Sequence, residues 1–143
     1  MLPSKQLNML TRQIIGCAIE VHRQLGPGLL ESIYEEALCV ELESARLTYQ
    51  RQKAVPIIYK NKQLATPLKF DLMVSDEILV EVKAVESLSP IHEAQLLSYL
   101  RLTQKNLGLL INFNVLVLKD GIRRKINQLP PRILNTTAHW CPR

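Results

Sequence analysis

The sixteen residues KFDLMVSDEILVEVKA, Lys69 to Ala84, leave the chain few ways to fold. Two apolar runs flank Ser75-Asp76-Glu77, which reads as a tight turn between strands. With a three-residue turn, Val74 pairs with Ile78, Leu72 faces Val80, and Phe70 faces Val82. That face is wholly apolar. On the other, Asp71 lies opposite Glu81, Met73 opposite Leu79, and Lys69 opposite Lys83. A one-residue slip would mix the faces, so the pattern specifies this register. Asp71, Glu81 and Lys83 then interrupt runs that a protein normally buries.

Directly opposed residues on antiparallel strands have Cβ atoms about 4.5–5.5 Å apart. Two carboxylates that close repel when both are ionised. Either one takes up a proton or a cation sits between them. Oxygen ligands from two acids suit Mg²⁺ or Mn²⁺, which keep several waters for substrate phosphates. Lys83 is on the face of Glu81, two residues along. An ammonium there can orient water or oppose charge developing on a phosphoryl oxygen. A salt-bridged polar face, with Lys83 neutralising the acids, is the other reading of the same pattern.

The rest of the chain alternates in period. Leu7 to Leu25 carries apolar residues at helical spacing and stops at Gly26-Pro27-Gly28. Leu30 to Ala45 repeats that spacing. Ala54 to Tyr59 and Leu64 to Val74 are strand-like around the turn Lys60-Asn61-Lys62, and Ile78 to Ala84 is the third strand. Pro90 suits a first helical turn, with helix over Ile91 to Leu102. Leu107 to Phe113 reads as a buried strand. Val115 to Leu118 and Ile122 to Ile126 flank Lys119-Asp120-Gly121, a hairpin signal. The expected class is α/β (α+β): helices flanking a mixed central sheet with a three-stranded antiparallel meander. Residues 1–127 are expected to form one domain, and 128–143 a basic, proline-containing tail.

The 143 residues carry a net charge of +5. From Lys119 onward stand six basic residues against one acid, so the excess lies in the last 25 positions. Such a segment either attracts phosphate or is a solvated edge. Cys17, Cys39 and Cys141 form no CxxC pair and read as small buried hydrophobes in a reducing compartment. No apolar run approaches membrane-spanning length, and the N-terminus lacks a signal-peptide layout, so a cytoplasmic location is expected.

Asp71 followed by Glu81-Val82-Lys83 on the next strand resembles the active-site signature of the PD-(D/E)XK nuclease superfamily. Gly28-Leu29-Leu30-Glu31-Ser32-Ile33-Tyr34 fits the pattern GxxExxY. VEVKAVESLSPIHEAQLLSYL followed by LGLLINF fits as well. Together, over Leu10 to Ile126, these resemble the GxxExxY protein family, a group of bacterial proteins within that superfamily. The resemblance implies a restriction-endonuclease-like core and a Mg²⁺ (or Mn²⁺) cofactor. It implies that Glu31 joins Asp71 and Glu81 at the metal, that the Val82 carbonyl is a further ligand, and that Lys83 is the catalytic lysine. Gln95 falls where many superfamily members point a polar residue at the site, and Tyr99 shares its helix face. Tyr34 is expected to be a packed residue whose hydroxyl lies near the site, on the substrate-binding side. Lys69 stands where the family often has an arginine; it keeps the charge but not the bidentate geometry.

The implied activity is metal-dependent phosphodiester hydrolysis on nucleic acid, with DNA favoured over RNA and no membrane partner. The alternatives are a binding or interaction module that keeps the fold but does little chemistry, and a small-molecule phosphoesterase. A homodimer is compatible with so small a chain. Glu31 also reads as a helix-start acid favoured by the macrodipole. His22 and His92 read as structural. Arg51, Lys60 and Lys62 read either as a phosphate-binding rim or as exposed charge, and Trp140 as packed on the domain.

Overall fold

The computed structural model describes residues 4–127. The tail expected over 128–143, with Trp140 and Cys141, lies outside the described residues. Helix α1 spans Ser4–Leu25 and α2 spans Glu31–Ser44. Their apolar stripes become buried faces: Leu10, Ile14, Cys17, Ala18 and Val21 on α1, and Tyr34, Leu38, Cys39 and Leu42 on α2. The chain turns between them through Gly26 and Gly28, at φ +71° and +97°. Few side chains tolerate that region, so glycine is the residue for this turn.

The strands are β1 Tyr49–Arg51, β2 Ala54–Val55, β3 Ile58–Tyr59, β4 Lys62–Gln63, β5 Leu68–Lys69, β6 Leu72–Val74, β7 Ile78–Lys83, β8 Leu107–Asn112 and β9 Ile122–Ile126, with α3 Pro90–Thr103 between β7 and β8. The main sheet has the order β1-β6-β7-β8-β9. β7 and β8 are parallel and joined through α3, while the other neighbours are antiparallel. Such a crossover is the usual solution for parallel strands. Leu72, Val74, Val80, Val82, Leu109 and Ile111 pack with α1 and α2 in one apolar cluster. Met73, Leu79 and Leu110 pack with Leu96 and Leu100 of α3 in a second. The expected α+β class, with helices flanking a mixed sheet, is the class observed. No helix among the described residues is long and apolar enough to cross a membrane.

The meander differs from its sequence reading. Its first strand in the main sheet is Tyr49–Arg51, not Ala54–Tyr59. The pattern missed it because Tyr-Gln-Arg at a sheet edge needs no apolar alternation. The segment from β2 to β5 leaves the main sheet as one long hairpin. β2 and β5 continue the register of β1 and β6. The next step would set Pro56 against Pro67, and neither has an N–H to give. Beyond them the register shifts by two, Ile58 pairing with Gln63 and Tyr59 with Lys62.

Lys119-Asp120-Gly121 is also not a hairpin turn. Leu118–Gly121 is a 3₁₀ turn, and Val115 to Leu118 is not a strand. Gly121 is needed for closeness: a Cβ there would lie 2.2 Å from the Asn112 carbonyl oxygen. Gly121→Ala should therefore lower unfolding free energy by about 1–3 kcal/mol through overpacking. Gly16→Ala, within α1 where a Cβ meets nothing within 4 Å, should raise it by about 0.5–1 kcal/mol. Urea unfolding of the two variants checks both signs.

Candidate active site

The β6–β7 ladder has the expected register, Val74↔Ile78, Met73↔Leu79 and Leu72↔Val80. It ends there. At Asp71 the chain bends, and side chains take over from the ladder. The Asp71 N–H donates to Glu81 Oε2 at 2.7 Å, and the Val82 N–H donates to Asp71 Oδ2 at 2.8 Å. On the opposite side the Asp71 carbonyl accepts the Gln52 N–H at 2.9 Å, so contact with the β1 side continues. The two strands part at the acids. The bend also moves Phe70, which packs with Leu96 and Leu100 in the second cluster while Val82 stays in the first. Phe70 therefore does not share a face with Val82, and Lys69 pairs with Ala54 instead of facing Lys83.

Glu81 is 5% exposed. Burial, then the charge of Asp71, pushes its pKa up to about 8. Asp71 is pushed up to about 6, first by burial and then by the charges of Glu35 and Glu31, against the Val82 and Gln52 hydrogen bonds that favour its ionised form. Lys83, half-buried at the end of β7, lowers the pKa of Glu81 through its charge. Its carbonyl accepts the Phe113 N–H at 2.9 Å, which fixes the strand end.

Helix α2 contributes an acid that the sequence reading missed. Glu35 is 4% exposed. Its Oε2 accepts from Arg51 Nε at 2.6 Å, and both its oxygens lie within 3.1 Å of Gln52 Nε2. The same amide reaches Asp71 Oδ1 at 3.1 Å. Gln52 thus bridges Glu35 and Asp71, from a backbone at φ +54°. A non-glycine residue held there is strained, and such strain concentrates at functional sites. Glu31, one turn before Glu35, is exposed, and its charge reaches Asp71. Spacing of four along the helix was the available signal for Glu35. Gln52 had none.

From the other layer, α3 brings Tyr99 towards the acids. Burial, then the charges of Glu81 and Asp71, raises its pKa. Gln95 Nε2 donates to the Tyr99 hydroxyl at 3.0 Å. Tyr34 is placed otherwise. It is fully buried, stacks on Phe113 at 4.7 Å, donates its hydroxyl to the Gly26 carbonyl and accepts the Leu29 N–H at 3.0 Å. A direct substrate contact by Tyr34 does not fit this geometry; the side chain holds the loop before α2. His22 is also structural, its Nε2–H donating to the Val115 carbonyl at 2.7 Å. His92 Nδ1 accepts the Ser89 N–H at 3.1 Å, at the start of α3.

Among the described residues, no three His, Cys, Asp or Glu side chains are gathered closely enough to hold an ion. The donors nonetheless suit a hard divalent cation. Asp71 and Glu81 are adjacent carboxylates whose ionisation is opposed by burial and by neighbouring acids. Positive charge between them would relieve both costs.

The raised pKa of Glu81 has a sign that can be tested. An unfolded glutamate ionises near about pH 4.3. Between there and about pH 8 the folded chain binds more protons than the unfolded chain. Stability in EDTA should therefore fall as pH rises through this window and level off above it. Glu81→Gln removes the ionisation. Relative to wild type, its stability should improve between pH 5 and 9 by an amount on the order of a few kcal/mol. Urea unfolding at the two pH values checks this, and a constant difference between the two proteins would contradict it.

A model of the PD-(D/E)XK nuclease superfamily matches residues 8–125. Searches of curated proteins and of solved structures found no match. The matched span runs from α1 into β9 and takes in the parted strands with Asp71, Glu81 and Lys83. The chain belongs to the PD-(D/E)XK nuclease superfamily and has its restriction-endonuclease-like fold.

Proposed function

We propose that the protein is a divalent-metal-dependent phosphodiesterase acting on nucleic acid, with DNA favoured over RNA. The observation that carries this reading is the half-buried Asp71 set against the buried Glu81, with Lys83 two residues along the strand of Glu81. Membership of the GxxExxY group is part of the proposal. Its support is physical: Gly28 takes the positive φ of the loop, Tyr34 ties that loop down, and α2 then starts with Glu31, whose charge reaches Asp71. The domain is taken to span 1–127, with 128–143 as its tail.

In this reading Asp71 and Glu81 hold Mg²⁺ or Mn²⁺, with Glu31 and the Val82 carbonyl as the further ligands. The ion, when bound, supplies positive charge against the developing charge on the phosphoryl oxygens and acidifies water. Glu35 and Gln52 hold Asp71 in place from the α2 side. Lys83 orients the attacking water and opposes charge as the new P–O bond forms and the ester P–O bond breaks. Gln95 holds the Tyr99 hydroxyl at the edge of the site, and Lys69 lies on the substrate side.

A binding module that keeps the fold without turnover is the competing reading. It draws on the engagement of Asp71 and Glu81 with backbone N–H groups and on the lack of a gathered three-ligand group among the described residues. Cleavage assays with Mg²⁺ or Mn²⁺ on single-stranded DNA, duplex DNA and RNA separate the two. Wild type should cleave, and Asp71→Ala and Lys83→Ala, purified identically, should each lose roughly a hundredfold or more. Equal cleavage by all three would signal a contaminant. Binding without cleavage would favour the module.

A further inference from the structure

The hairpin that leaves the main sheet at Asp71 has a charge pattern that the acid pair does not explain. Residues 53–70 contain four lysines, Lys53, Lys60, Lys62 and Lys69, and no acid. All four are exposed, and none forms an ion pair among the described residues. Lysines on a folded surface normally have acids interspersed. The outer half of the hairpin also exposes Ile58 (60%), Tyr59 (46%) and Leu64 (41%), and β3 and β4 pair only with each other. Its end is well defined: Lys60 and Asn61 take positive φ in a two-residue turn, Tyr59 pairs with Lys62, and the Lys60 ammonium lies 5.5 Å from the centre of the Tyr59 ring.

We propose that this hairpin is a docking arm for the sugar–phosphate backbone of a polynucleotide, flanking the phosphate addressed by Asp71 and Glu81. The arm begins beside the acids, since Gln52 and Asp71 are hydrogen-bonded at its base. The acids there, Glu31, Glu35, Asp71 and Glu81, offer an approaching phosphate no attraction of their own when no cation is bound. Attraction must come from a neighbouring surface, and the acid-free arm is that surface. The seven steps from Gln52 to Tyr59 reach at most about 23 Å when extended. Phosphates on one DNA strand recur about every 3.4 Å along the helix axis. The arm therefore spans several backbone charges, and a mononucleotide could not use it. Tyr59 and Ile58 offer apolar contact to sugars or unstacked bases. An anionic lipid surface would meet the same lysines, but lying along the arm it would also press against the acid cluster at the base. A strand can be threaded past it.

The inference uses the phosphodiesterase reading for what happens at the acids, but not for binding. Binding is measured on the full chain in EDTA by fluorescence anisotropy, with labelled single-stranded DNA, duplex DNA and RNA 20-mers, from low to moderate salt. Wild type is compared with Lys60→Glu/Lys62→Glu and with the milder Lys60→Gln/Lys62→Gln, each shown by thermal melting to keep its fold. Hydrolysis of bis(4-nitrophenyl) phosphate with Mn²⁺ is followed in parallel. At 0.1 M salt the charge-reversed arm should weaken polymer binding by on the order of tenfold per lost phosphate contact, and the glutamine pair should flatten the duplex salt slope by about 0.9 per contact. Small-ester hydrolysis should stay within about twofold of wild type. Binding to DNA alone, to RNA alone or to both supports the arm and identifies the polymer, provided that the variants lose it. Arm-dependent binding with no hydrolysis of any ester leaves this inference standing and removes the phosphodiesterase reading. Wild-type-like binding by both variants overturns the inference. So does failure of wild type to bind any of the three polymers, including when it binds anionic phospholipid vesicles.

Discussion

The parting of β6 from β7 at Asp71 organises everything else in this molecule. Up to Leu72 and Val80 the two strands are an ordinary ladder. One residue later, carboxylate oxygens accept the N–H groups of Asp71 and Val82. A buried N–H without a partner would cost free energy, so the strands can separate only because Asp71 and Glu81 satisfy those groups. The acids are thus structural partners of the backbone and also the side chains that fill the gap, Glu81 buried and Asp71 half-buried. The same bend moves Phe70 into the α3-side cluster and directs the chain into the basic arm.

The electrostatics at the gap are unbalanced in one direction. Glu35 has Arg51 as a close partner, and Glu81 feels Lys83. Against these, Asp71 feels the charges of Glu35 and of the exposed Glu31, and the buried Glu81 feels those of Asp71 and Glu35. Protons supply the missing positive charge when no cation is present, since burial, and then the neighbouring acids, raises the pKa of both members of the pair. A divalent cation would supply it differently, displacing those protons. Two helix layers frame this balance. Glu35 and Gln52 hold Asp71 from the α2 side, while Tyr99, held by Gln95, approaches from α3.

Much of this architecture could be read from patterns. The helices follow from apolar residues three and four apart, and the hairpin register from alternation that only one pairing satisfies, which also placed Asp71 beside Glu81. What escaped had physical reasons. Tyr49–Arg51 is a polar edge strand and carries no apolar signature. Asp120-Gly121 has the composition of a hairpin turn, but the glycine is there because the Asn112 carbonyl leaves no room for a Cβ. Period-two reasoning carried Phe70 through a bend that it cannot detect. Tyr34 of the motif is packed, as its pattern suggests, but its hydroxyl is engaged by the loop it stabilises. Glu35 sits one turn from the motif glutamate, on the same helix face, and Gln52 acts only because the fold brings Glu35 and Asp71 to it.

The central claim is that Asp71 and Glu81 form a divalent-cation site whose charge is balanced by protons when the ion is absent. Calorimetric titration with Mn²⁺ at about pH 7, in buffers of different ionisation enthalpy, tests it most directly. The account predicts binding of an ion with release of roughly one proton, because Glu81 is mostly protonated there and must ionise to become a ligand. Asp71→Asn should sharply weaken that binding. Binding that releases no proton and survives Asp71→Asn, or no binding at all, would contradict the account.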